Sequence, residues 1–360
     1  MSTPSEKPVK VAVIGTSFAS AVQIPGFQLL PGVEIVAVAS ANADRAAQTA
    51  EKFGIPAAYS DWRKLLDEVD CDVVSIVTPP YLHREMALES FARGRHVFCE
   101  KPFAMNVAEG IDMVKAADAS GLVHGVDHEF RYRPARSRMK ELIDAGHLGE
   151  PRVIRWGWLL PMLADPNSRA FNWWSERSMG GGIFGALGSH LIDSLLWWFG
   201  DIEEISAQIN TFVSRRPTVD GKDWGTVTAD DDVALMLRFA SGARCTVDLS
   251  GVTRPGRTLL EAFGSTGALA IEEDERLLAA TAKSGWEPAE IPDRLVRQVS
   301  GDHRLGPFVE LAERLVTRVR GGEAPDFADF RQGLRVQAVM DAAHLSADER
   351  RAVKVEVPAV

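Results

Sequence analysis

The sequence predicts an α/β protein in two parts: a doubly wound parallel sheet over residues 1–127, then an α+β domain on a mixed or antiparallel sheet over 128–360. Three observations carry this reading. Buried-strand runs rich in β-branched residues alternate with helical patterns through the first third of the chain, the order that produces parallel sheets. A glycine stands directly after the first of these runs, where a helix opens. After Asp127 the alternation stops, and strands follow one another across Ser-Gly or similar turns. A length of 360 residues suits two domains.

In the first part, Val9–Ile14 reads as a buried strand by its β-branched run. Gly15-Thr16-Ser17-Phe18-Ala19-Ser20 follows and opens a helix. Val33–Ala39 is a second buried strand, succeeded by a helix to Phe53. Asp61–Val69 is helical, Asp72–Val77 is a strand, and Tyr81-Leu82-His83 starts the next helix after Thr78-Pro79-Pro80. His96–Glu100, a helix over Val107–Ala119 and the strand Leu122–Val126 continue a pattern of six strands alternating with helices. In the second part, His128–Tyr132 leads into a helix over Pro134–Ala145, which Gly146 and Gly149 break. Strands are expected over Arg152–Leu160, Glu204–Phe212, Asp232–Ala240 and Ala243–Gly251, with shorter ones at Glu261–Phe263 and Ala268–Ile271. Thr281–His303 has the least regular pattern and reads as a loop, and Leu305–Arg320 and Phe327–Leu345 read as helices.

Composition excludes several classes of function. A net charge of −10 argues against binding the phosphate backbone of nucleic acid. Cys71, Cys99 and Cys245 lack CxxC or Cys/His spacing, which argues against a disulfide framework or a zinc site and for a reducing cytoplasm. The polar N-terminus is no signal peptide. Ile183–Phe199, the most apolar run, contains His190 and Asp193 and is too short and polar to span a bilayer.

Two stretches carry chemistry. His96-Val97-Phe98-Cys99-Glu100-Lys101-Pro102 is a strand stopped by proline. A Lys at such a strand end faces the ligand crevice of an open α/β sheet, although a surface Lys before a loop has the same local pattern. Gly180-Gly181-Gly182, followed by a helix carrying His190 and Asp193 on one face, is the other. Asp193 is placed to fix the His190 imidazole; a His buried for packing and satisfied by Asp193 is the alternative. Phe171-Asn172-Trp173-Trp174 offers rings to stack on a sugar, or core residues. Of a G-x-G-x-x-G dinucleotide loop only Gly15 is present, with Ser17 and Ser20 at the other two positions, so a plain strand–helix turn is the competing reading. Ser40 stands where an NAD-specific site places an acid, so a 2′-phosphate finds no carboxylate to repel it and has Arg45 or Asn42 as partner. That favours NADP over NAD. Thr78 and His83 lie where a cofactor passes a strand end, though a His at a helix start also serves as a cap or packing residue.

The glycine loop, Thr78-Pro79 with His83, Glu100-Lys101-Pro102, and Gly180–Gly182 with Gly188-x-His190-x-x-Asp193 together resemble the glucose–fructose oxidoreductase / inositol dehydrogenase / rhizopine-catabolism (Gfo/Idh/MocA) family over nearly the whole chain. The resemblance implies an N-terminal Rossmann domain and a C-terminal domain with a large open sheet. It also implies a homodimer or homotetramer and hydride transfer between a nicotinamide and a hydroxyl-bearing carbon of a sugar, cyclitol or related polyol. It gives Lys101 the reacting hydroxyl and the cofactor ribose, and makes His190 the acid/base. Gly15, Thr16, Ser17, Phe18, Ala19, Ser40, Arg45, Thr78, Pro79, His83, Glu100 and Lys101 are then the candidate cofactor residues; Asp193 supports His190. Arg131, Trp173 and Trp174 are candidates for substrate, Arg131 equally for a structural ion pair. No metal site is expected. The Lys101–Pro102 bond is expected to be cis.

One departure stands out. The family's acid four residues before the His is Ala186 here. Either another acid, such as Asp127 or Glu129, supplies the charge, or the fold serves a different end. It would then be a redox-assisted lyase or hydrolase with tightly held NAD, or an NAD(P)-binding sensor.

Overall fold

Val9–Ile14 (β1) lies at the centre of the first sheet because its residues, apart from Lys10, are buried on both faces. The computed structural model describes residues 7–360. Among the described residues β1 pairs in parallel with Val33–Ala39 (β2) and, on its other side, with Val73–Ile76 (β4). Ala57–Tyr59 (β3), His96–Cys99 (β5) and His124–Val126 (β6) complete the order β3-β2-β1-β4-β5-β6. The strand order reverses between β1 and β4, which places the ligand crevice at their carboxyl ends. The sequence reading counts six strands but gives ranges for five; the unplaced one, β3, is three residues of partly exposed edge, too short and too exposed to leave a run.

Helices α1 (Ile24–Gln28), α2 (Ala43–Phe53), α3 (Trp62–Glu68), α4 (His83–Ala92) and α5 (Val107–Ser120) connect the strands. Their limits follow local chemistry. Asn42, Asp61 and Asn106 accept backbone N–H groups at the starts of α2, α3 and α5, and Gly54 and Gly121 close α2 and α5 in left-handed backbone.

Beyond residue 127 the main sheet has nine strands among the described residues. They are β7 (Pro151–Leu159), β8 (Ile202–Asn210), β11 (Asp232–Phe239), β12 (Arg244–Ser250), β13 (Arg257–Gly264), β14 (Gly267–Glu272), β15 (Arg276–Thr281), β16 (Ser284–Pro288) and β17 (Val353–Lys354), in the order β16-β15-β14-β13-β7-β12-β11-β8-β17. Neighbours run antiparallel except β7 with β12. A two-stranded ribbon, β9 (Arg215–Pro217) with β10 (Trp224–Thr226), stands apart. One face of the large sheet is packed by α6 (Pro134–Asp144), α7 (Ser189–Phe199) and α9 (Phe330–Glu349). The other is open, and Met236 on β11 is 66% exposed there.

Several boundaries differ from the sequence reading. The short strand expected at Glu261–Phe263 extends over Arg257–Gly264, and Arg276–Thr281 is a strand that the sequence reading did not place. The strand expected at Glu204–Phe212 begins and ends two residues earlier, leaving Phe212 outside it and exposed. The expected loop at Thr281–His303 contains β16 and a turn of 3₁₀ helix at Asp293–Leu295. All five residues of β16 are exposed, so hairpin pairing with β15 holds it, and no apolar alternation marks it. The last long helix begins at Phe330 rather than Phe327, where the Asp329 side chain caps it.

Helix α8 (Leu305–Val319) returns to the first sheet. Phe308 sets its ring edge-on against Phe27 and Phe98, at 5.2 and 6.1 Å between centroids. Gly26 leaves the room, since a Cβ there would lie 2.3 Å from the Phe308 ring. Helix α9 packs on α5, and its Asp341 carboxylate accepts from Val107 N at 2.7 Å. Helix α9, with Phe330 and Leu334 packed on the first sheet and Val336 and Val339 on the second, joins the two sheets. Among the described residues no helix is long and apolar enough to cross a membrane.

Candidate active site

Gly15 ends β1 with φ of 119°, and a Cβ added there would lie 2.1 Å from the Val77 carbonyl oxygen. Only glycine lets the chain turn so tightly across the end of β4. The helix starts at once, at Ser17, so its first-turn N–H groups, which have no intrahelical partner, lie just beyond the strand ends. This is the arrangement that receives a pyrophosphate, and the residues present fit a dinucleotide there despite the two serines. The first helix passes through a π turn over Ala19–Gln23. That turn buries the Gln23 amide, whose Nε2 donates to Glu100 Oε1 (2.8 Å) and Asp127 Oδ2 (2.7 Å), while Oε1 accepts from Ser75 Oγ (2.5 Å). One side chain thus ties the ends of β4, β5 and β6 together.

Lys101 follows β5 across a cis bond to Pro102, and its Nζ donates to the Ala186 carbonyl oxygen at 3.2 Å. The same Nζ lies 6.0 Å from the centre of the Phe18 ring. The glycine segment therefore meets the Glu100-Lys101-Pro102 turn directly. A Cβ on Gly181 would lie 2.4 Å from Trp174 O, and one on Gly182, where φ is 109°, would lie 2.3 Å from Asp230 Oδ2. Asp230 Oδ1 accepts from Phe184 N at 2.7 Å and anchors the start of the π turn that leads into α7. Gly182→Ala is expected to lower stability by about 1–3 kcal/mol, the usual range for backbone forced into a sparsely populated region. Chemical denaturation checks it, and a wild-type midpoint would contradict the packing described.

His190 lies one turn further on. Its ring is 1% exposed, stacks on Phe130 at 4.0 Å with planes 12° apart, and meets His128 edge-on at 5.7 Å. Its Nε2 is 3.6 Å from Glu129 Oε2. Burial, then the nearby Lys101, His128, Arg136 and Arg133, hold its pKa well below the ordinary 6.5, so the ring is neutral at neutral pH. Burial likewise pulls His128 down to about 4. Burial lifts Glu129 to about 7 against the opposing pull of Lys101. Asp127 is raised well above the carboxylate range by burial and by Glu100 and Glu129. Both ring nitrogens of His190 and of His128, with Glu129 Oε2 and Asp127 Oδ1, are buried without a hydrogen-bond partner among the described residues.

Several expectations need correction. Asp193 does not hold His190. Its carboxylate takes Arg131 Nε and Nη2, each at 2.6 Å, and Gln332 Nε2 at 2.9 Å. Residues three apart on a helix share a face only broadly, and the fully charged, fork-shaped guanidinium is the stronger partner. Arg131 accordingly is a buried ion-pair residue rather than a substrate contact; its Nη1 also donates to Asp326 O at 3.1 Å. The His83 ring does not face a cofactor either. It is buried, with Nε2 2.9 Å from Thr78 O and Nδ1 3.1 Å from Pro102 O, and it joins the turns after β4 and β5.

Ser40 Oγ accepts from Asn42 N (3.3 Å), and Arg45 is exposed in the first turn of α2. Thr78 and Pro79 are half-buried beyond β4, and Thr16 and Ala19 are buried while Ser17 is exposed. Trp173 and Trp174 form a half-buried 3₁₀ turn whose carbonyls press on Gly181, with the Arg169 guanidinium 4.4 Å above the Trp174 ring. Gln23 and His128 join the site without having been marked by the sequence pattern. The one available signal is the run Asp127-His128-Glu129 directly after the last parallel strand. Among the described residues no group of three or more His, Cys, Asp or Glu side chains is arranged for a metal.

Residues 9–128 match the oxidoreductase family with an NAD-binding Rossmann fold designated GFO/IDH/MocA, and residues 137–270 match the GFO/IDH/MocA C-terminal domain. An uncharacterized oxidoreductase of Synechocystis sp. is 32% identical over 356 residues, 96% of this chain and 95% of its own length. Levoglucosan dehydrogenase of Pseudarthrobacter phenanthrenivorans is 33% identical over 254 residues, 66% of this chain and 65% of its own. Among solved structures, a levoglucosan dehydrogenase in complex with NADH and L-sorbose superposes with a TM-score of 0.89 at 26% identity, covering 98% of this chain and all of that one.

Proposed function

Since the chain belongs to the Gfo/Idh/MocA oxidoreductase family, and is thus an NAD(P)-dependent dehydrogenase acting on CH–OH groups, we propose that it exchanges hydride with a hydroxyl-bearing carbon of a sugar, cyclitol or related polyol. The observation that carries this is the set of unpartnered buried atoms on His190, His128 and Glu129 beside Lys101. Buried polar atoms are normally satisfied, and a polyhydroxylated ligand brings donors and acceptors in one molecule.

The residues divide the work. Gly15 and the helix start at Ser17 hold the dinucleotide, whose oxidised ring, when bound, supplies the hydride acceptor. Lys101 keeps one N–H on the Ala186 carbonyl and turns the others to the substrate oxygen, where a positive charge stabilises developing alkoxide. Neutral His190 accepts the hydroxyl proton. The lyase and sensor readings rest on the acid missing at position 186; a carboxylate stands beside His190 all the same, in Glu129.

Ser40, with no carboxylate, and exposed Arg45 support a preference for NADP. Ser40→Asp is expected to shift the ratio of NADPH to NADH affinities toward NADH, read by nicotinamide fluorescence; an unchanged ratio removes Ser40 from that role. The activity itself is tested by following reduced-nicotinamide absorbance with a sugar and cyclitol panel. Reduction by one member supports the reading, and tight cofactor binding with no reduction across the panel overturns it.

A further inference from the structure

Ala186, four residues before His190, offers no group that can share a proton, and Asp193, three residues after it, is committed to Arg131 and Gln332. Glu129 faces the ring instead. Its Oε2 lies 3.6 Å from His190 Nε2, both side chains are 1% exposed, and neither atom has a hydrogen-bond partner among the described residues. Resting on the dehydrogenase reading, we propose that Glu129 replaces the missing acid, and that its carboxylate faces the imidazolium formed when His190 takes the substrate proton. In that step the C–H electron pair leaves as hydride to the oxidised nicotinamide. The O–H proton goes to His190, and the carbon–oxygen single bond becomes double.

The surroundings explain why a carboxylate is needed. Phe130 holds the imidazole face to face, so the ring has little freedom to seek another partner. Lys101, from the β5 end, and Arg133 and Arg136, on either side of the start of α6, all oppose a second proton on His190, and His128 adds to them. An isolated imidazole there is a poor base. A negative charge at 3.6 Å in a buried site restores its ability to hold the proton through the transition state. The groups facing Glu129 are Lys101, Arg133 and Arg304 on the positive side, and Glu100 and Asp127 on the negative. Burial first, and then these charges, leave its ionisation near neutrality, where a small change in local charge decides whether it is a carboxylate. Glu129 acts through His190 and is therefore a positioning residue.

The test uses the full chain labelled at histidine, saturated with NADH. The His190 ring resonances, assigned by their loss in His190→Asn, are followed across neutral pH. The wild type is expected to show them moving with an ionisation near pH 7, a movement lost in Glu129→Gln and kept, displaced, in Glu129→Asp. In a separate experiment with a panel sugar and the oxidised cofactor in place of NADH, single-turnover hydride transfer in Glu129→Gln is expected to fall about 100-fold with NADH affinity unchanged, and Glu129→Asp to recover part of it. A His190 titration that persists in Glu129→Gln, or a wild-type rate in that variant, overturns the proposal. So does a slow Glu129→Gln whose parent shows no such titration, since Glu129 would then matter only for packing. If Glu129→Gln fails to bind NADH, Glu129→Asp carries the comparison: a displaced titration supports the pairing and an unchanged one overturns it. A wild type that oxidises no panel member sinks the dehydrogenase reading, while the resonance titration still decides whether the two side chains ionise as a pair.

Discussion

His190→Ala is expected to slow the hydride-transfer step by about 10²–10⁴-fold, the range removed with a general base, and to leave NADH binding near that of the wild type. The separation follows from the placement of the groups. In the proposed function Gly15 and the first helix hold the dinucleotide, whereas His190 sits on α7, beside Lys101 and Glu129. Single-turnover absorbance changes give the rate and nicotinamide fluorescence gives the affinity. His190→Asn serves as the control for packing on Phe130, because it retains polarity without an imidazole. Turnover near the wild-type rate in either variant would take His190 out of the reaction.

Asp193→Ala is expected to destabilise the fold by about 3–5 kcal/mol, the cost of leaving a buried charge without its partner. Arg131 is 4% exposed, and two of its nitrogens rest on this carboxylate. Burial alone would raise the Asp193 pKa, but Arg131, with His128 and Gln332, lowers it below 3.8 on balance. Its contribution to stability is thus present above the ordinary carboxylate range and is lost as the pH falls through the lowered value. Urea unfolding at neutral and acid pH measures both effects; the variant should lose stability at neutral pH and lack that acid step. An Asp193→Ala protein with wild-type stability but little activity would restore the role read from the sequence, in which this carboxylate orients His190.

The parallel sheet is legible in the sequence because its central strands are buried on both faces and read as mainly apolar runs, as Val9–Ile14 and Val73–Ile76 do, interrupted only by Lys10 and Ser75. The exposed edges are not: Ala57–Tyr59 and Ser284–Pro288 are strands only because a neighbour supplies their hydrogen bonds. The same division runs through the site. Gly15, Lys101 and the Gly180–Gly182 segment can be found locally, because a tight turn, a proline-stopped strand and close backbone approach each demand a residue type that spacing reveals. Which acid stands beside His190 depends on distances between residues far apart in the chain. Helical spacing points to Asp193, but Arg131, 62 residues earlier, takes that carboxylate, while Glu129 approaches from the end of the parallel sheet. Local patterns are therefore enough for the two-part α/β architecture and to single out the glycine turn, Lys101 and His190 of the proposed site. The pairing of the buried charges is set by the fold in three dimensions, because each guanidinium, imidazole and carboxylate takes the partner that packing of the two sheets brings within reach.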